Sequence, residues 1–243
     1  DIKPIIGVDL YVAARPRHDK EARIDAKRTR IVLLAENLTG YKNLLKLVTR
    51  ANLEGFYYRP RVDRELLAEY ADGLIAIIPS LSSETSDALR AGDRAKAAEI
   101  VSWYRDTFGM GDVFLEITNH PEIEGYSDIR PRIIELSAET GVPLVAAHDV
   151  YYLSPDDKRA RETLVRIQTG VPFSERGFDA TSADFSFISS DTAEEYFRDV
   201  PEAIANTVAI AERCTLELKL GTWVFPNIET NGHATHDDAL RAL

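Results

Sequence analysis

The chain has 243 residues, enough for one large α/β domain, with 44% apolar and 28% charged residues and no run near the ~18 apolar residues of a membrane span. Its formal net charge of −11 argues against a main DNA-binding surface here, because phosphate contacts need clustered Lys and Arg. A single cysteine, Cys214, excludes an internal disulfide and a Cys-based zinc site and fits a reducing cytoplasm.

In chain order, residues 4–12 read as a strand, with Asp9 at the end of its apolar core. The charged stretch around His18 reads as a solvated loop. Residues 30–35 form a second strand-like run. Tyr41, Leu44, Leu45, Val48 and Ala51 then recur at helical spacing. Gly55-Phe-Tyr-Tyr-Arg-Pro-Arg61 mixes aromatic and basic residues. It fits a nucleic-acid contact, but an ordered loop pinned by its aromatics is the simpler reading. Residues 73–78 and 113–117 are apolar strands flanking a helix marked by Ala97, Val101, Tyr104 and Phe108, and His120 follows the second of them.

Residues 143–147 form a buried strand that empties into His148 and Asp149, and Ser154-Pro155 then opens a helix as N-cap and first helical residue. Residues 170–183 read as a loop and 185–188 as a weaker strand. Asp191-Thr-Ala-Glu194 reads as a capping box, and 201–212 as a helix with Pro at its start. Residues 221–235 read as an exit linker flanked by the surface histidines His233 and His236.

Alternating strands and helices imply a mostly parallel sheet, either a barrel or a doubly wound sheet. If the strands are parallel, Asp9, His120, His148 and Asp149 gather on the rim where such folds place their chemistry. Two readings of that rim stay open. One is a divalent site with mixed imidazole and carboxylate ligands, the other a hydrogen-bonded polar rim without metal. A metal-binding strand end would offer a second good ligand two residues after Asp149, and the chain has Tyr151 there. No phosphate-binding glycine loop, G-x-S-x-G elbow or H-E-x-x-H pair occurs.

Four motifs occur in order: Pro4-Ile-Ile-Gly-x-x-x-Tyr-Val-Ala13, Leu33-Leu-Ala-x-Asn-x-x-Gly-Tyr-Lys-Asn-Leu44, Glu54-Gly-Phe-Tyr-Tyr-x-Pro-Arg-Val-Asp63 and Ile210-Ala-Glu-Arg-Cys214. Together they resemble the PHP (polymerase and histidinol phosphatase) domain of bacterial replicative DNA polymerases of the polymerase III alpha type. The resemblance spans nearly the whole chain. It implies an α/β fold, an incomplete (β/α)7 TIM-like barrel of mostly parallel strands with outer helices. Residues 1–220 would be a partial PHP domain lacking the first strand–helix units and their His-x-His motif. Residues 221–243 would be an exit linker and the start of the polymerase palm region.

The resemblance also implies a ligand set. Metal-binding members use a Glu where Asp9 stands, a His at Arg30, a Cys or His at Ser80, and an Asp-x-His at Asp149 and Tyr151. Asp9 and Asp149 are then remnant ligand positions, and ligands are lost at Arg30, Ser80 and Tyr151. His148 replaces a residue that is not normally a ligand, so it and His120 remain rim residues only. A catalytically silent structural and protein-binding module is expected, with no cofactor in these residues and Mg²⁺ at the polymerase site outside them. Expected partners are the rest of the polymerase III alpha chain (palm and thumb), a proofreading exonuclease subunit, and DNA through the parent protein, in the cytoplasm and without a membrane. The competing expectation is a metal-dependent phosphoesterase or 3′–5′ proofreading exonuclease acting through this barrel. With the metal gone, Arg30 is expected to supply the counter-charge to Asp9 or Asp149.

Overall fold

The computed structural model describes residues 2–170, 183–221, 230, 232 and 234–242. In chain order the elements are β1 (Gly7–Ala13), β2 (Arg28–Ala35), α1 (Leu38–Leu53), β3 (Arg61–Val62), α2 (Arg64–Glu69), β4 (Leu74–Ile78), α3 (Glu84–Arg90), α4 (Arg94–Phe108), β5 (Val113–Ile117), α5 (Tyr126–Thr140) and β6 (Leu144–Ala146). A 3-10 turn (Pro155–Asp157), α6 (Lys158–Thr169), α7 (Ser190–Tyr196), α8 (Pro201–Arg213) and α9 (His236–Arg241) follow. The strands form one open, mostly parallel sheet in the order β3-β1-β2-β4-β5-β6.

Strand direction differs from the expectation of parallel neighbours at one place. β2 is antiparallel to both β1 and β4, whereas β1–β3, β4–β5 and β5–β6 are parallel. The short link between β1 and β2 contains no crossover helix, so the chain returns as a hairpin-like pair. β2 alone therefore points its N-terminus toward the end of the sheet where β4, β5 and β6 finish.

Side chains alternate between the two faces of a strand, and the faces differ. One carries Leu10, Ile31, Leu33, Ala76, Leu115 and Leu144 and packs beneath α1, α4 and α5 through Leu47, Ile100, Val101 and Ile133. The other carries a smaller cluster of Ile75, Phe114 and Val145, covered by Ile210 of α8 and by Cys214. On this second face Gly7 and Asp9 are exposed, so the sheet is open to solvent beside its polar rim.

Local chemistry explains the helix starts. Asn37 and Asp93 accept hydrogen bonds from Gly40 and Lys96 backbone N–H groups, and Ser83 and Ser154 cap reciprocally with Ser86 and Asp157. The start of α7 is corrected: its cap is Ser189, which accepts from the Thr192 N–H, and Asp191 lies inside the helix. Residues 185–188 do not form a strand; they contribute a single bridge from Ser186 to Tyr152. Asp9 is the third residue of β1 rather than its end. Residues 171–182 of the expected loop, most of the expected linker and His233 lie outside the described residues.

The loop at 55–61 is pinned by Arg61 rather than by its aromatics, of which Phe56 and Tyr58 are exposed. Arg61 is buried, and its guanidinium donates to the carbonyls of Gly55, Asp25, Arg17 and Asp19 at 2.8–3.1 Å. Gly55 is required there because a Cβ would collide with the Arg61 carbonyl oxygen. The stretch around His18 is likewise less solvated than its charge suggests. His18 itself is exposed, but Arg17 is buried and pairs with Asp63 (3.0 Å) and Glu54 (2.7 Å).

Candidate functional site

The reversed direction of β2 brings Arg30 to the rim. The residue stands opposite Tyr11 in the β1–β2 register, while Asp9 stands opposite Val32, so Arg30 and Asp9 are diagonal neighbours on one face. Arg30 Nε donates to Asp9 Oδ1 at 3.0 Å, and Nη2 donates to Oδ2 of the same carboxylate. Its backbone N–H is held by the Ser82 carbonyl at 2.7 Å. The hydrogen bond to Asp9, together with the nearby charges of Asp9, Asp149 and Glu116, outweighs burial and holds the guanidinium firmly protonated.

Glu116 is the carboxylate that sequence reasoning missed. It points to the same face as Phe114, next to last in β5, and one oxygen accepts both the Ser80 backbone N–H (3.0 Å) and the Ser80 hydroxyl (2.8 Å). Burial pushes its carboxyl pKa up and Asp149 adds to that, while the two Ser80 bonds and Arg30 pull it down, with a net rise. The available signal was a lone charge inside an otherwise apolar five-residue strand.

The histidines and Tyr151 belong to a second arrangement beside the carboxylates. Arg161 lies 4.3 Å over the Tyr151 ring, Tyr151 meets Phe185 at 5.1 Å, Phe185 meets His120 at 4.9 Å, and His120 stacks on His148 at 5.4 Å. His148 Nε2 faces the Ser186 carbonyl at 3.0 Å, which places the proton on Nε2. His148 Nδ1 and His120 Nε2 are buried without a hydrogen-bond partner among the described residues. Burial first, and then His148, lowers the His120 pKa. Phe185 thus wedges the rim, although its segment read as a strand.

The expected rim residues do come together on one end of the sheet, but in two groups. Asp9, Arg30, Ser80 and Glu116 form the polar group, Asp149 reaches it electrostatically, and His120, His148 and Tyr151 form the ring stack. Measured against the family ligand positions, this donor set does not fit a metal. Asp9 is engaged by a guanidinium, the Ser80 hydroxyl is committed to Glu116, and Tyr151 is stacked between Phe185 and Arg161. Among the described residues, no three His, Cys, Asp or Glu side chains group as a metal site. A cavity of about 420 Å³ lies nearby, between the end of β6 and helices α7 and α8. Ala146, Phe187, Phe197, Ile204 and Val208 line it, and among the described residues no Lys or Arg does.

Residues 1–120 match the PHP domain model. The chain is 37% identical over 219 residues to the DNA polymerase III subunit alpha of Treponema pallidum, covering 89% of this chain and 19% of that protein. It is 37% identical over 215 residues to the one from Borreliella burgdorferi (88% and 19%) and 34% identical over 256 residues to the one from Chlamydia muridarum (93% and 20%). The chain therefore spans about a fifth of the length of these relatives. No helix among the described residues is long and apolar enough to cross a membrane. The open α/β sheet, the motif order and these matches together place the chain in the PHP domain family, in the branch carried by DNA polymerase III alpha subunits.

Proposed function

We propose that this chain is the PHP segment of a replicative DNA polymerase and that the segment itself is catalytically silent, serving as a structural and protein-binding module. The parent protein would extend primers on a DNA template in the cytoplasm, with Mg²⁺ at a polymerase site outside these residues. Residues 1–220 would belong to the PHP domain and 221–243 to the passage to the palm. The rest of the alpha chain would be the module's first partner and a proofreading exonuclease subunit a second, with DNA reached through the parent protein.

The observation that carries the silent reading is Arg30. A permanently charged guanidinium, hydrogen-bonded to Asp9, stands where metal-binding relatives of the fold would place an imidazole. A two- or three-metal mechanism needs that position to donate a lone pair to a cation, and Arg has none to give.

The test is 3′–5′ hydrolysis of a labelled single strand by the full-length protein with Mn²⁺ or Zn²⁺, compared with Asp149→Ala. The reading expects no hydrolysis that the substitution removes. Hydrolysis abolished by Asp149→Ala would establish the phosphoesterase alternative instead.

A further inference from the structure

We infer that Arg30 is a built-in cation, a guanidinium that takes over the charge role of a divalent ion at the Asp9–Glu116–Asp149 rim and excludes such an ion from it. The inference rests on the reading of this chain as a PHP module and deepens it by assigning a role to one residue.

Three carboxyl groups share this end of the sheet. Without a counter-charge they would repel one another, and each would resist ionisation. The chain meets that problem in three ways. Asp9 receives two donors of the Arg30 fork, a charge-assisted bidentate geometry. Glu116 receives two neutral donors from Ser80, and its burial favours the protonated form. Asp149, exposed beyond the end of β6, sits in the field of the same guanidinium.

The position of Arg30 is fixed by the fold. Because β2 runs against its neighbours, a residue near its N-terminus reaches the rim formed by the ends of β4, β5 and β6. The Ser82 carbonyl holds its backbone there at 2.7 Å. A divalent ion arriving at Asp9 would have to displace the fork and stand beside a positive charge that cannot be titrated away. Arg30 and Asp9 each remain 41% exposed, so an ordinary surface ion pair is the competing account of the same contact. Such a pair adds little stability and excludes nothing. Cation binding therefore separates the two accounts, where a stability change alone would not.

The experiment follows free Mn²⁺ by its electron paramagnetic resonance signal in titrations of the full-length protein. It compares wild type, Asp9→Asn, Arg30→Gln, Arg30→His, Arg30→Lys and the Arg30→Gln/Asp9→Asn double variant. Ions at other sites of the protein are common to all and cancel in the difference. Arg30→Gln and Arg30→His should each take up one additional Mn²⁺ per chain, at least about tenfold tighter than any rim binding by wild type, since removing a cation beside carboxylates favours another. Adding Asp9→Asn should abolish the gain, and Arg30→Lys, which keeps the charge, should show none. If Arg30→Gln folds poorly, the contrast between Arg30→His and Arg30→Lys carries the test. No extra ion in the neutral variants, or an Asp9-dependent ion already bound by wild type, overturns the inference. Failure here leaves the catalytic question to its own assay, because a cation bound at the rim without hydrolysis lost in Asp149→Ala does not make the module an enzyme.

Discussion

Ser80 donates both its backbone N–H and its hydroxyl to a single carboxylate oxygen of Glu116, at 3.0 and 2.8 Å. This double contact joins the segment just after β4 to the next-to-last residue of β5. It anchors a half-buried acid through two hydrogen bonds from one residue.

Glu116→Gln should preserve that anchor, because an amide oxygen accepts the same two bonds. Burial raises the Glu116 pKa above its ordinary value of 4.5. The wild-type group therefore contributes its full stability below that value and loses it as pH climbs through the raised one. The melting temperature of Glu116→Gln relative to wild type should rise as pH climbs from about 4.5 through the raised pKa. A constant difference across that range would show that Glu116 ionises in the fold without penalty.

At the opposite end of the pH scale, Asp25 and Glu54 dominate. The Arg15 fork, aided by the Glu21 N–H, holds the Asp25 carboxyl down to about 2, and Arg50 with Arg17 holds Glu54 down to about 2. Depressed carboxyl pKa values stabilise the fold above the unfolded values of 3.8 and 4.5, and that stability is lost as pH falls toward about 2. An acid titration followed by circular dichroism should show wild type losing stability between about pH 4.5 and pH 2. In the Asp25→Asn/Glu54→Gln double variant the same slope should be shallower.

Arg61→Met should be among the most destabilising single changes. It strips four carbonyl oxygens of their donor in a buried setting, at about 3 kcal/mol or more. Denaturant unfolding of wild type and variant measures the loss. Arg61→Lys should recover only part of it, because one ammonium cannot span the same four acceptors.

Gly40→Ala probes a close approach of α1 to the chain before β4. A Cβ at Gly40 would collide with the Gly73 carbonyl oxygen, so the helix must shift. A cost of about 1–3 kcal/mol is expected although alanine favours helices, and a stabilised variant in the same unfolding assay would contradict the packing.

Much of this architecture is legible in the sequence. The five longer strands lie within a few residues of the apolar runs at 4–12, 30–35, 73–78, 113–117 and 143–147, because buried strands need uninterrupted apolar sequence. Strand direction was not readable. Nothing local in Arg28–Ala35 encodes that β2 runs backward, and that reversal delivers Arg30 to Asp9. β3, two residues long, falls below any periodicity. The rim residues His120 and His148 were legible from the strands they follow. Their partner Phe185 was not, because its place depends on a contact with His120, far earlier in the chain. Arg61 was legible only as a basic residue of an aromatic loop, and only tertiary structure supplies its four carbonyl acceptors.

The most direct test of the silent site is anomalous diffraction from crystals of the full-length protein grown with Mn²⁺. The account predicts no anomalous peak between Asp9 and Asp149 and an Arg30 fork still seated on Asp9. A peak within ~2.5 Å of carboxylate oxygens of both residues, with Arg30 displaced, would contradict it.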